Sequence, residues 1–225
     1  TAIQDALGKN TSYVYDALNR VTKHTDTAGR TTDFVYDSFH RLTKMTDRAG
    51  LVHLWNYDET KNQVTYTRPD KETMVYSYDG NNRLTTIINP KGEKTILTYD
   101  DRGRLIEEKN ALGQSSKWEY NNLDQLVKEI NTAGFATSYT YDSKGRVDTV
   151  TDPLGLKTTI TYNNYYNQPK EIKDPRGGIM KYQYDVMGRE TTFTDQKGNV
   201  STVSYDGNGR VKTTTNALKD TYTMQ

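Results

Sequence analysis

Tyr141-Asp142-Ser143-Lys144-Gly145-Arg146 decides the fold, because its tyrosine returns at Tyr15, Tyr36, Tyr57, Tyr78, Tyr99, Tyr120, Tyr141, Tyr162, Tyr184 and Tyr205. The spacing is 21 residues, with one interval of 22. Asp follows the tyrosine at eight of the ten places and Asn at the other two, Asn121 and Asn163. An arginine stands five residues beyond it at Arg20, Arg41, Arg83, Arg104, Arg146, Arg189 and Arg210. An Asp or Asn comes eleven residues after the tyrosine, as in Asp26, Asn110 and Asp152, and a glycine fourteen after it: Gly29, Gly50, Gly92, Gly113, Gly134, Gly155 and Gly198. A fixed period of this length marks a repeat array, in which each unit is one supersecondary element and neighbours cover one another.

Each unit carries two turn signals of the same chemistry. In Asp152-Pro153-Leu154-Gly155 the Asp accepts hydrogen bonds from turn amides, the Pro presets φ, and the Gly supplies the φ > 0 residue that closes a type I turn with a G1 bulge. Pro69, Pro90, Pro153 and Pro175 all fall at this slot, where no strand amide is lost. Asp142-Ser143-Lys144-Gly145 repeats the logic, with Asn19, Asn82 or His40 in place of Gly in other copies. Between the turns lie runs of about seven residues rich in Thr, Val, Ile and Tyr, which read as strands. One unit is therefore a β-hairpin. The chain reads as an all-β meander of roughly 20 short antiparallel strands over residues 1–225, one array with no helical period.

The second strand alternates, with a large residue two before each tyrosine, as in Phe34/Tyr36, Trp118/Tyr120 and Tyr182/Tyr184. One face is thus aromatic and the other largely wet. In the first strand the apolar residue after the Arg (Leu42, Val147) and the one three further on (Met45, Val150) fall by simple alternation on opposite faces, which leaves its inner side unassigned. Tyrosine and arginine flank one turn from its two strands, so cation–π pairing across the neck, Tyr141 with Arg146, is expected. Departures cluster in the unit from Tyr57 (Asn62 for Arg, Arg68 for Asp, Lys71 for Gly) and in the unit from Tyr162, with the insertion in Asn163-Asn164-Tyr165-Tyr166-Asn167 and with Pro169. They read as drift at tolerant loops, with altered curvature or a longer turn.

The pattern Y-D-x-x-G-R-[LV]-T-x-x-x-[DN]-x-x-G resembles the YD repeats of the Rhs family, shared with the shell component of insecticidal toxin complexes, wall-associated contact-inhibition proteins and teneurins. The resemblance covers the whole chain. It implies a long coiled sheet that spirals into a hollow shell around a C-terminal toxin or effector of the same parent chain, with a delivery-system protein as a further partner, in a secreted or cell-surface bacterial protein. Such relatives cut themselves with aspartates in a C-terminal segment, and nothing here resembles that segment. Asp5-Ala6-Leu7-Gly8 starts mid-repeat, so the chain reads as a piece of a longer array, truncated at both ends.

Composition agrees with an array. Only 33% of the 225 residues are hydrophobic and mean hydropathy is −0.93, values that elsewhere suggest disorder. Against that stand 18 tyrosines, aromatic residues that disordered chains lack. Thirty basic against 29 acidic side chains give a net charge of +1, too weak a field to recruit nucleic acid or an anionic membrane. No segment is apolar enough to span a bilayer as a helix. Cysteine is absent, which removes disulfides and thiolate metal sites. His24, His40 and His53 occupy three different slots of the repeat, and no nucleophile set or phosphate loop stands out, so neither catalysis nor a cofactor is expected. The repeat tyrosines, arginines and glycines read as structural. The alternative is a cell-surface array in which the aromatic ladder stacks carbohydrate, although the chain has two tryptophans, Trp55 and Trp118, and no tryptophan-tyrosine pairing of the kind such repeats use.

Overall fold

The computed structural model describes residues 2–4, 8–163 and 167–224. Asp5, Ala6 and Leu7, and Asn164, Tyr165 and Tyr166 of the insertion, lie outside the described residues. The chain divides into two units, Thr1–Ser115 and Ser116–Gln225. In the first, eleven strands from Ala2–Gln4 to Leu105–Lys109 pair antiparallel in chain order. In the second, eleven strands from Ser115–Tyr120 to Thr221–Thr223 do the same. No helix occurs among the described residues. The all-β hairpin array expected from the turn signals is the observed fold.

Both turns of a unit have the predicted backbone. Gly145 N–H donates to Asp142 O at 2.9 Å and Asp142 N–H to Arg146 O at 2.8 Å; ten residues on, Gly155 N–H donates to Asp152 O and Asp152 N–H to Leu156 O, both at 2.9 Å. Gly145 and Gly155 stand at φ +80° and +79°, a region that costs an L residue about 1 kcal/mol or more and glycine nothing. The aspartate holds the turn with one oxygen: Asp142 Oδ1 accepts the N–H of Lys144 at 2.8 Å and of Arg146 at 3.0 Å. Asn121 Oδ1 does the same for Leu123 and Gln125, which is why Asn substitutes at this place.

Among the described residues no side chain is fully buried, and there is no hydrophobic core. What replaces it is a stripe of cross-strand neighbours along one face. Tyr139 lies opposite Val150, which lies opposite Thr158 on the next strand. Tyr182 lies opposite Phe193 with ring centroids 5.2 Å apart, and Trp55 opposite Tyr66, also at 5.2 Å. Such pairs contribute about 0.2–1 kcal/mol each, so stability accumulates along the array.

The inner side of the first strand is settled by a bulge that alternation alone does not foresee. Thr140 pairs with Thr149 and Tyr141 with Val147, so the strand register skips Asp148. The same skip falls on Thr22, Thr43, Thr85, Ile106, Val127, Lys170, Thr191 and Lys212. One extra residue restores parity. Val147 and Val150, three apart, therefore stand opposite Tyr141 and Tyr139 and share the aromatic face, which corrects the expectation that they part company.

The unit from Tyr57 solves the same count differently. Tyr57 pairs with Val64 and Asp58 with Gln63 without a bulge, and the positive-φ residue is Asn62 (+48°). The residue elsewhere spent in the bulge is spent in the turn, so Gln63 rather than Asn62 stands at the arginine's place. The next turn keeps its ordinary length despite Arg68 and Lys71: Lys71 N–H donates to Arg68 O at 2.9 Å, with Lys71 at φ +69°.

Candidate functional site

The repeat tyrosine and arginine meet, but not across one turn. The Arg146 guanidinium lies 4.3 Å from the ring centre of Tyr162, the tyrosine of the following repeat. Arg20 lies over Tyr36 at 4.7 Å, Arg41 over Tyr57 at 4.2 Å, Arg83 over Tyr99 at 5.1 Å and Arg189 over Tyr205 at 4.3 Å. The predicted partnership of Tyr141 with Arg146 is thus replaced by one between neighbours.

Arg41 turns its Nη1 to Glu59, but Arg20, Arg83 and Arg146 each close a three-point clip. The head of each holds the aspartate of its own turn: Arg146 Nη2 lies 2.6 Å from Asp142 Oδ2, and Arg20 Nε 2.7 Å from Asp16 Oδ2. Its face covers the next tyrosine, and its Nη1 donates to the carbonyl after that tyrosine, Arg20 to Asp37 O at 3.2 Å, Arg83 to Asp100 O at 3.2 Å and Arg146 to Asn163 O at 3.3 Å. The tyrosine answers in the opposite direction. Tyr162 O–H donates to Val147 O at 2.7 Å, and Tyr36, Tyr57, Tyr99, Tyr141, Tyr184 and Tyr205 each donate to the carbonyl fifteen residues back. Arg210, which follows the last tyrosine of the series, Tyr205, leaves its side chain 76% exposed, against 16% for Arg146.

The electrostatics follow from this geometry. The Arg146 side chain and backbone N–H hold the Asp142 carboxyl below its usual range, and Arg189 does the same for Asp185. Burial pushes the Tyr162 phenol up, partly opposed by Arg146. Gln125 replaces the arginine where Asn121 replaces the aspartate: Asn121 Nδ2 donates to Gln125 Oε1 at 2.7 Å, and Gln125 Nε2 reaches Gly145 O at 3.3 Å. A charged pair has become a neutral pair that still bridges to the next turn, at Gly145 O rather than at the carbonyl after the tyrosine. Gly145 has a second reason to be glycine here, since an added Cβ would lie 3.0 Å from Gln125 Nε2.

Other sequence candidates have structural roles. Gly29, Gly50, Gly92, Gly113, Gly134, Gly155 and Gly198 all take positive φ in the second turn. His24 packs on Tyr13 with centroids 4.9 Å apart, His40 Nδ1 lies 3.3 Å from Arg20 Nη1, and His53 Nδ1 lies 2.6 Å from the Tyr66 hydroxyl. Among the described residues no group of His, Cys, Asp and Glu is arranged to hold a metal ion. Among the described residues no helix is long and apolar enough to cross a membrane.

Fold and clip together define a tandem β-hairpin repeat protein. The sequence profile of the family described as RHS Repeat matches residues 1–31, 15–52, 36–73, 57–94, 99–136 and 124–158, and the chain belongs to that family. No curated protein sequence matches the chain. Among solved structures, TcdB2-TccC3 without its hypervariable C-terminal region is similar at TM-score 0.62 and 12% identity, over 96% of this chain and 17% of that one. The complex TcdB2-TccC3-TEV is similar at TM-score 0.57 and 17% identity, over 92% and 13%. The Photorhabdus luminescens Tc holotoxin pore is similar at TM-score 0.58 and 17% identity, also over 92% and 13%. At these identities the likeness is one of fold, and the chain spans between 13% and 17% of the length of those chains.

Proposed function

We propose that this chain is a stretch of wall in a hollow Rhs-type shell, that the shell encloses a toxin or effector polypeptide of the same parent protein, and that the whole is exported by a bacterium. The observation that carries the proposal is a single layer of hairpins with no core of its own, clipped repeat to repeat so that surface grows by addition. A wall needs that architecture. The family membership and the fold likeness to TcdB2-TccC3 support it. In this role the chain performs no chemistry and acts by exclusion: tyrosine and arginine are spent on the clip, and each turn aspartate on its own turn.

The test compares protease resistance of a cargo polypeptide carried by the complete parent protein with that of the same cargo fused to residues 1–225. Protection in the first and digestion in the second is the expected result. Equal digestion in both would overturn the proposal. Tight glycan binding by residues 1–225, abolished by Trp55→Ala and Trp118→Ala, would favour the carbohydrate-binding array in its place.

A further inference from the structure

One link in the series of clips is open. Tyr78 carries no cation over its ring, and its hydroxyl makes no hydrogen bond among the described residues, unlike Tyr36, Tyr57, Tyr99, Tyr162 and Tyr205. The cause is the turn before it. Gln63 stands at the arginine's place, and its Nε2 donates to Ser77 Oγ at 3.0 Å instead of reaching over the next turn as Gln125 does. An open cavity of about 240 Å³ remains, bordered by Tyr78, Asn82, Asn62 and Gln63 and, across it, by Arg41, roomy enough for more than one water.

The filled copies say what this cavity is shaped for. Asn82 is the counterpart of His40, whose Nδ1 lies 3.3 Å from Arg20 Nη1, and of Gly209, where an added Cβ would lie 3.3 Å from Arg189 Nη1. The cavity therefore occupies the space that a guanidinium fills in other repeats. Its far side carries the Asp58 and Glu59 carboxyls. Asp58 already takes Lys61 at 3.0 Å, and Glu59 pairs with Arg41, itself held by Asp37 at 2.8 Å. Both rim carboxyls are thus already paired, and the place for a further cation is the open face of Tyr78.

We propose that the cavity beside Tyr78 is a docking site for an arginine side chain from a partner polypeptide, which stacks on the Tyr78 ring and completes the clip that Gln63 leaves open. Arginine is preferred over lysine because its planar, weakly hydrated head stacks on an aromatic face.

The test is an NMR titration of the full chain, labelled at tyrosine rings and backbone amides, with acetyl-Gly-Arg-Gly-amide and, separately, acetyl-Gly-Lys-Gly-amide. Saturable shifts at Tyr78 and Asn82 with the arginine peptide, several-fold weaker with lysine and absent from tyrosines already capped, are expected. Tyr78→Leu weakens binding roughly 2- to 30-fold, the range of one cation–π contact. Gln63→Arg, filling the cavity from within, abolishes it while the β circular dichroism is unchanged. No saturable shift at Tyr78, equal response to both peptides, or a response shared by all tyrosines would each overturn the proposal.

Discussion

Replacing Arg146 by alanine tests the clip where it is best covered. The mutation removes the guanidinium 4.3 Å from the Tyr162 ring centre, the bond to Asn163 O and the ion pair to Asp142. A cation–π contact contributes about 0.5–1 kcal/mol when exposed and about 2 kcal/mol when desolvated. With the Arg146 side chain 16% exposed, a coupling of about 1 kcal/mol between Arg146→Ala and Tyr162→Leu is expected. Tyr162→Phe keeps the ring and loses only the hydroxyl bond to Val147 O, so its coupling to Arg146→Ala falls well below that of leucine. Arrays open locally, so the assay is native-state amide hydrogen exchange at the hairpins on either side, read as a double-mutant cycle. The same cycle between Arg146→Ala and Tyr141→Leu should give no coupling beyond about 0.3–0.5 kcal/mol, the level of additivity for non-contacting sites. Coupling to Tyr141 and none to Tyr162 would refute the clip between neighbours.

Three further outcomes follow from the turns. Asp142 and Asp185 are held below their ordinary value of 3.8, and Asp58, bonded by the Thr60 hydroxyl and Lys61, is held down to about 2. A depressed folded pKa adds stability above the unfolded value and loses it as pH falls through the folded one, so melting temperature should stay level from pH 7 to 5 and drop between about pH 4 and 2; an unchanged melt at pH 2.5 would contradict this. Lys71 and Lys219 sit at φ +69° and +67°, and Lys71→Gly with Lys219→Gly should each stabilise by about 0.5–1 kcal/mol in urea unfolding, the relief of strain offset in part by the freer unfolded chain. Gly155→Val, at φ +79° with no atom within 4 Å of an added Cβ, should destabilise by about 1 kcal/mol or more through the backbone alone, and an unchanged melting temperature would count against the turn geometry.

The turns and the face alternation were legible because they rest on residue chemistry. Asx and Gly are demanded by amide hydrogen bonds and by positive φ, and both recur at fixed offsets. The bulge was not legible by type, since Thr22, Ile106, Asp148 and Lys170 share nothing as side chains; what they share is backbone register. The signal lay in the spacing of Val147 and Val150, since two apolar residues three apart in a strand share a face only if one residue is extra. A second signal was the exchange of Asp142/Arg146 for Asn121/Gln125, which marks a side-chain pair across the turn. The unit from Tyr57 departs from the period in its register, so counting along the sequence places Asn62 where the fold places Gln63.

Among the described residues the array has no shared core, so nearest neighbours alone hold it together. Deleting residues 79–99 removes one whole period and joins Tyr78 to Asp100, restoring the sequence of tyrosine, turn and Arg104. Deleting residues 79–98 removes one residue fewer and sets Tyr78 against Tyr99, out of register with every later slot. Nearest-neighbour stability predicts that the first variant keeps the per-residue β circular dichroism and the amide protection of strands further along the first unit, while the second loses protection around the junction. Global unfolding of the in-register deletion, as expected of a domain built around one common core, would contradict it.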